Sequence, residues 1–163
     1  NEPVRPQHLP RASAFDLIPA IDKLDADSHC YEEVKIVQET RKILGLPHLP
    51  VFSTTIRVPT FRGHGESVMV ELNSEVTKEA AEKALSAGEA IKVYGGSDYA
   101  QLPVLRDCVE NSDVHVGRVR LPYGLKQSNR VMFWNISDNL FKGAASNAVQ
   151  ILKCLIDRPE GKH

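Results

Sequence analysis

The sequence predicts an α+β fold in which a mixed or antiparallel sheet carries helices on one face. Three observations lead to this fold class. Strand-like and helix-like segments follow one another without strict alternation, two segments show helical periodicity, and short turns separate several extended runs. The 163 residues are 42% hydrophobic and 25% charged, which suits one domain with a substantial core.

The first part of the chain predicts one helix between two extended segments. Residues 14–22 are short and apolar, which indicates a strand interrupted by Pro19. Residues 31–44 place apolar side chains on one stripe, with acidic residues at the start and a lysine near the end. This pattern predicts a helix that ends at Gly45. The β-branched residues of 51–58 predict a strand.

The second part predicts a helix among several strands. Residues 67–73 alternate apolar and polar side chains and so predict a half-buried strand. Residues 77–88 predict a helix with Thr77 as its N-cap and Gly88 as its C-cap. We expect both this helix and helix 31–44 to pack on one face of the sheet. A strand and turn are predicted at residues 90–96, and further strands at residues 113–121 and 129–137.

Residues 138–156 predict a last helix that is apolar around most of its circumference. Such a helix is buried on more than one side, and one sheet covers only one side. We therefore expect its other side to pack against a domain outside this chain. The proline-containing residues 1–13 are interpreted as a connector, residues 14–137 as the main domain, and residues 157–163 as a tail.

Charge and cysteine content exclude several classes of protein. A net charge of −1 with dispersed basic residues argues against nucleic-acid and membrane partners. The three cysteines are far apart and odd in number, which fits neither a disulfide framework nor a metal site. We expect no metal. A reducing compartment is indicated, so we expect a cytoplasmic location, or a plastid if the source is a plant.

The stretch RVPTFRGHGES at residues 57–67 is unusual because it places two arginines and a histidine at a strand junction. His64 is either a polar surface residue or a functional one, and its flanking glycines would let a ligand approach the backbone. Arg57 is either an exposed charge at a strand end or a fork that grips a carboxylate. The residues alone leave both questions open.

Glu33 and Lys35 open the first predicted helix. Side chains two residues apart on a helix do not face each other, so these two are not expected to form an ion pair together. They are either ordinary surface charges or separate contacts to a ligand.

Four blocks taken together resemble a known family. Residues 32–44, 57–67, 114–120 and 134–151 occur in the order found in the C-terminal half of bacterial-type aspartate-β-semialdehyde dehydrogenases. The resemblance runs from about residue 14 to residue 156. RVPxxRGHxES and SDNLxKGAAxNAVQI are its most specific pieces. It implies a C-terminal domain of the glyceraldehyde-3-phosphate-dehydrogenase type that binds substrate and forms a homodimer.

The resemblance also implies a role for each of five residues. His64 would be the acid/base, and Arg57 would bind the substrate α-carboxylate. Glu33 would hold the substrate, through its ammonium group, and Lys35 would help to bind phosphate. Asn139 would lie near the nicotinamide of NADP.

The implied reaction is the NADPH-dependent reduction of aspartyl-4-phosphate to aspartate-4-semialdehyde with release of phosphate, which leads to lysine, threonine and methionine. The family's cysteine nucleophile lies in an Asn-Cys turn, and Cys30, Cys108 and Cys154 have no such context. The glycine-rich dinucleotide loop is absent from the sequence too. We therefore expect the chain to be a fragment that is inactive alone, with NADP bound mainly by an N-terminal Rossmann domain.

Two alternatives stay open. One is the reductase of N-acetyl-γ-glutamyl phosphate, which performs the same chemistry on a longer acid. The other is a paralogue without the cysteine that serves as a non-catalytic assembly module.

Overall fold

The protein, described by a computed structural model over residues 13–157, divides into two units that meet in sequence between Thr60 and Phe61. Almost all of the predicted connector 1–13 and tail 157–163 lies outside the described residues. The proposed domain limits therefore stay predictions.

The first unit contains helix α1, Tyr31–Leu44, which has the predicted bounds. Acidic side chains in its first turn and basic ones in its last turn oppose the partial charges of the helix ends. Gly45 closes the helix in the left-handed conformation (φ 66°), and Leu46 N–H donates to the Arg41 carbonyl oxygen. A glycine adopts that conformation at little cost, so its role as C-cap is confirmed.

The two strands predicted in the first unit are wrong. In the described part of this unit, the only β-pairing between residues 14–22 and 51–58 is an isolated antiparallel bridge between Ile18 and Arg57. Arg57 N–H donates to the Ile18 carbonyl oxygen at 2.8 Å, and Ile18 N–H donates back at 3.0 Å. β-branched side chains favour an extended backbone, but a strand also needs a continuous partner, and local sequence does not supply one.

The second unit is built on a four-stranded mixed sheet, which confirms the predicted fold class. In spatial order the strands are β1, β4, β3 and β2. β1–β4 and β4–β3 are antiparallel, and β3–β2 is parallel. The strand bounds are β1 His64–Val76, β2 Ile91–Tyr94, β3 Val114–Arg120 and β4 Ser128–Ser137.

Helix α2, Lys78–Ser86, covers one face of the sheet. Thr77 is its N-cap, as predicted, because its hydroxyl oxygen accepts the N–H of Ala80 at 3.2 Å. The C-cap is Ala87 in a right-handed conformation, so the prediction of Gly88 is wrong. A buried apolar cluster joins helix and sheet: Ala81, Val116, Val119 and Val131. Packing of α1 on this sheet stays a prediction.

A bulge in β3 changes which side chains share a face. Simple alternation predicts that Val116 and Val119 point to opposite faces, yet both belong to the cluster under α2. The register between β3 and β4 shifts between Gly117 and Arg120, and Arg118 has a φ of 56°. One extra residue in a strand reverses the alternation beyond it, which accounts for the difference.

The chain leaves β4 through a wide turn and not directly into a regular helix. Phe141–Ala145 form a π-helical turn, and α3 spans Ser146–Ile156, so the single helix predicted over 138–156 is only partly right. Five large apolar side chains of α3 are exposed: Val149, Ile151, Leu152, Leu155 and Ile156. Within residues 13–157, no helix has the length and apolar character needed to cross a membrane.

His115 is a buried titratable residue in β3, with 2% of its surface exposed. Its Nδ1 lies 2.8 Å from the Tyr94 hydroxyl, whereas Nε2 has no hydrogen-bond partner among the described residues. Burial lowers the pKa of His115, and the nearby Lys92 ammonium lowers it further, against the weaker opposing effect of Asp113 and Asp107. The neutral imidazole is therefore the form that fits this place.

This burial predicts a pH-dependent stability. Because the folded pKa is lowered, the contribution is complete above the unfolded pKa of about 6.5 and is lost as pH falls toward the folded value. Urea unfolding between pH 7.5 and 5 should show wild type losing stability relative to His115→Gln, by up to about 1.4 kcal/mol per pH unit. Parallel curves for the two proteins would contradict the burial of a neutral imidazole.

Candidate functional site

Glu33 lies on the first turn of α1 and is 8% exposed. Its Oε1 accepts the N–H of Thr55 at 2.8 Å, and its Oε2 accepts the N–H of Cys30 at 3.0 Å. The backbone hydrogen bonds from Thr55 and Cys30 lower the pKa of the Glu33 carboxyl. Glu33 thus ties the start of the helix to the segment that leads to Arg57.

Lys35 pairs with Glu32 and not with Glu33. Lys35 Nζ lies 2.9 Å from Glu32 Oε2, at the i,i+3 spacing that brings helical side chains together. The hydrogen bond to Glu32 raises the pKa of Lys35. Both side chains are about one-third exposed, so this pair is accessible to a ligand, whereas Glu33 is not. The i,i+3 spacing of Glu32 and Lys35 is visible in the sequence, although the family motif points to Glu33.

Arg57 is half-buried and anchored at one end of its fork. Its Nη2 donates to the Ile21 carbonyl oxygen at 2.9 Å. A guanidinium has five N–H donors, so this bond leaves most of the fork for a carboxylate. The anchor fixes the direction of the side chain without using its charge, which suits a binding residue.

His64 is the first residue of β1 in the second unit, where it pairs with Ser137 at the end of β4. It is exposed. The residue before it, Gly63, donates its N–H to Asn139 Oδ1 at 3.0 Å. Two predicted site residues, His64 and Asn139, are therefore brought together by adjacent strand ends.

Protein atoms occupy the space where a side chain would stand at the two glycines that flank His64. These glycines therefore do not open the backbone to a ligand in the way that the sequence suggested. Gly63 has a φ of 93°, and a Cβ there would lie 3.0 Å from Leu105 Cδ2. At Gly65 a Cβ would lie 2.8 Å from the Trp134 ring. Both glycines serve close packing around His64.

Asp138 is a fully buried carboxylate next to Asn139, with 0% exposure. Its Oδ1 accepts Arg62 Nε at 3.1 Å, and its Oδ2 lies 2.8 Å from Arg62 Nη2. Three backbone N–H groups also donate to it: Glu110 at 2.7 Å, Leu140 at 2.8 Å and Phe141 at 3.1 Å. Burial raises the pKa of Asp138, but these hydrogen bonds outweigh burial and bring it down to about 2.

The sequence motifs assign no role to Arg62 or Asp138. Both belong to the blocks that carry the family resemblance, and two residues 76 positions apart give no local sign that they form a bidentate pair. Only the antiparallel pairing of β1 with β4 brings them together.

Two of the three cysteines, Cys30 and Cys108, are buried. Cys108 is buried, and burial raises the pKa of its thiol, as does the negative charge of Asp138. Cys30 is buried with its Sγ 2.9 Å from the Thr55 hydroxyl oxygen. Among residues 13–157 no group of three or more histidine, cysteine or acidic side chains could hold a metal ion.

Comparison with known proteins identifies the family. The sequence model of the dimerisation domain of semialdehyde dehydrogenases matches residues 1–142. The chain belongs to this family. Its curated relatives include the aspartate-semialdehyde dehydrogenases of Bacillus subtilis (strain 168), at 38% identity over 143 residues, and of Legionella pneumophila, at 36% over 160 residues. Those alignments cover 87% and 95% of this chain.

Solved structures of semialdehyde dehydrogenases agree with this assignment. Aspartate semialdehyde dehydrogenase II from Vibrio cholerae superimposes with a TM-score of 0.85 at 36% identity, over 94% of this chain. The same Vibrio enzyme has been solved in complex with ASA, with a TM-score of 0.85 at 35% identity. These likenesses confirm the predicted C-terminal domain type.

The chain spans less than half of the proteins that it matches. It covers 41% of the Bacillus protein, 44% of the Legionella protein and 45% of the Vibrio chain. These relatives are bacterial and lend no support to the plastid alternative.

The neighbouring glutamates predict a contrast in stability. Glu33→Gln replaces an acceptor with an amide that cannot accept both backbone N–H groups, so the midpoint of thermal unfolding should fall by roughly 2–6 °C. Glu32→Gln, the matched control, removes only a partly exposed pair and should change the midpoint by less than about 2 °C. Circular dichroism melts of the two variants give the comparison. Equal midpoints would show that Glu33 does not hold the helix start.

Proposed function

We propose that this chain is the substrate-binding and dimerisation part of an NADP-dependent aspartate-semialdehyde dehydrogenase. That enzyme converts aspartyl-4-phosphate, NADPH and a proton into aspartate-4-semialdehyde, NADP and phosphate. The observation that carries the proposal is the likeness to enzymes of that name across 87–95% of this chain. The expected N-acetyl-γ-glutamyl-phosphate alternative is not favoured by these relatives.

The substrate offers a carboxylate, an ammonium group and a phosphate, and the first unit carries groups complementary to all three. Arg57 has an anchored guanidinium with donors to spare, which suits the carboxylate. Lys35 suits phosphate. For the ammonium group, Glu33 is the residue implied by the resemblance, but its carboxylate already serves two backbone N–H groups. Glu32 is more exposed and lies beside Lys35, so we propose Glu32 as the second candidate.

His64 is proposed as the acid/base. Acyl transfer to a thiol needs a group that removes the thiol proton and later manages protons at the reacting carbon. An exposed imidazole held by a strand end can accept and donate these protons. The buried Cys108 and Cys30 are poor candidates for that thiol, and the exposed Cys154 follows a lysine and not the asparagine of the family's Asn-Cys turn. We therefore propose that the thiol comes from a part of the enzyme outside this chain.

Asn139 fits a position near the nicotinamide. Its Oδ1 is held by Gly63 N–H, and its Nδ2 donates to no group among the described residues. A side-chain amide fixed at one end leaves its two N–H donors for a carboxamide. When bound, NADPH supplies the hydride. We propose that the cofactor is held mainly by an N-terminal Rossmann domain, since the chain has no glycine-rich dinucleotide loop.

Exposed apolar surfaces support the two proposed contacts of the chain. On α3 the exposed residues suit packing against the Rossmann domain. On the sheet, Met69 is 58% exposed and pairs with Met132, and Trp134 is two residues further along β4 on the same face. This face is opposite the cluster under α2, and apolar patches of this kind mark interfaces. We propose a two-fold homodimer through it.

Substitution of Arg57 and His64 in the intact enzyme tests the site. Arg57→Ala removes one partner of a charged pair, and at roughly 2–5 kcal/mol this lowers kcat/KM by about 30- to several-thousand-fold. Arg57→Lys should recover little, because an ammonium group cannot form the fork. His64→Ala should lower mainly kcat, by about 10²–10⁴-fold.

The same assay separates the glutamates and the rival functions. Glu32→Gln should raise KM for the semialdehyde more than Glu33→Gln does, once both are corrected for folded protein. If Arg57→Ala left kcat/KM within a few-fold of wild type, the carboxylate assignment would be wrong. An intact enzyme without phosphate-dependent oxidation of aspartate semialdehyde would favour the non-catalytic paralogue.

The homodimer is tested on the chain itself. Light scattering at micromolar concentration should give twice the chain mass of 18.1 kDa. Met69→Glu should shift the equilibrium to monomer, because it buries a charge in the apolar face. Lys78→Glu, on the helix side of the sheet, is the matched control and should leave the mass unchanged. A monodisperse wild-type monomer would reject the sheet-face dimer.

A further inference from the structure

Three consecutive residues that lead into β1 each pair with or donate to one of three consecutive residues where β4 ends. His64 pairs with Ser137, Gly63 N–H donates to Asn139 Oδ1, and Arg62 forms the bidentate pair with Asp138. Residues 62–64 are therefore connected to residues 137–139 at every position, and His64 and Asn139 belong to this connected region.

The same carboxylate also holds two further segments. Glu110 N–H donates to Asp138, and Glu110 has a φ of 59°, a left-handed conformation that a glutamate adopts only at some cost. Leu140 and Phe141, where the π-helical turn begins, also donate their N–H groups to Asp138. The Arg62 guanidinium lies 5.5 Å from the centre of the Phe141 ring. The strained backbone of Glu110 is tolerated because it completes the hydrogen bonds around Asp138, which indicates that these bonds hold a single fixed geometry.

We propose that Arg62 and Asp138 are positioning residues that fix the imidazole of His64 relative to the amide of Asn139. The inference rests on the proposed function of those two residues and deepens it. We call Arg62 with Asp138 the clamp. The clamp keeps the distance between the His64 imidazole and the Asn139 amide constant during turnover.

The other end of the same strand pair shows that the sheet does not require such a clamp. There Arg130 Nε lies 2.8 Å from Glu71 Oε2, and these two residues are register partners on β4 and β1. Their side chains are 59% and 56% exposed, whereas Asp138 is completely buried. A buried ion pair is a poor way to gain stability. Within residues 13–157, the one ion pair with a fully buried partner lies beside His64 and Asn139, which favours a positioning role.

The first part of the test uses the full chain and needs no activity. NMR spectra of Asp138→Asn and Arg62→Lys are compared with wild type at the Gly63 amide and the His64 imidazole. Glu71→Gln removes the arginine–carboxylate pair at the far end of the same strands and is the matched control. We expect the clamp variants to shift and broaden both signals and the control to leave them in place.

The second part uses the intact enzyme. Misplacement of a reacting group by about 1 Å costs on the order of 10²-fold, so Asp138→Asn and Arg62→Lys should lower kcat by about 10- to 100-fold. KM for the semialdehyde should stay within about 3-fold, because the proposed substrate-binding residues lie in the first unit. Arg62→Lys should retain more activity than Arg62→Gln, since it keeps the charge. Glu71→Gln should keep kcat within about 2-fold.

The outcomes separate the clamp from the proposed function. Clamp variants that fold, melt at a lower temperature and keep wild-type kcat would make the network purely structural and overturn the proposal. Arg62→Lys gives this answer if Asp138→Asn does not fold. A wild-type enzyme without turnover would reject the proposed function, while the NMR comparison would still decide whether the clamp orders His64.

Discussion

The buried carboxylate of Asp138 is the interaction on which the second unit depends most. It receives hydrogen bonds from a guanidinium and from three backbone N–H groups that belong to two separate segments. Burial of a charge is unfavourable unless every acceptor site is used, and here the donors outweigh burial and lower the pKa of Asp138 to about 2. One side chain thereby fixes the entry to β1, the exit from β4, the loop at Glu110 and the turn before α3.

In the first unit a different carboxylate, that of Glu33, also connects separate backbone segments. Glu33 accepts the N–H groups of Cys30 and Thr55, and so holds the segment that carries Arg57 against the start of α1. In both units an acidic side chain orders the backbone from which proposed site residues project. The roles proposed for Arg57 and His64 rely on this ordered backbone.

The sequence predicted those features that depend on local spacing. The bounds of α1, Thr77 as N-cap and the mixed sheet follow from periodicity, caps and turn residues. Features that depend on tertiary partners were missed. Residues 51–58 have the composition of a strand but only one bridging partner, and the bulge at Arg118 reverses a face. For the candidate site, the motifs named Arg57, His64 and Asn139, whose roles stay predictions, whereas the contacts of Glu32, Arg62 and Asp138 are visible only in three dimensions.

Native-state hydrogen exchange of the chain tests this account most directly. Glu110, Leu140 and Phe141 donate their N–H groups to Asp138, and Gly63 donates to the neighbouring Asn139. If one carboxylate orders all these segments, the four amides should show matched protection that falls together in Asp138→Asn and is retained in Glu71→Gln. Protection that differs among the four amides, or that survives Asp138→Asn, would contradict the account.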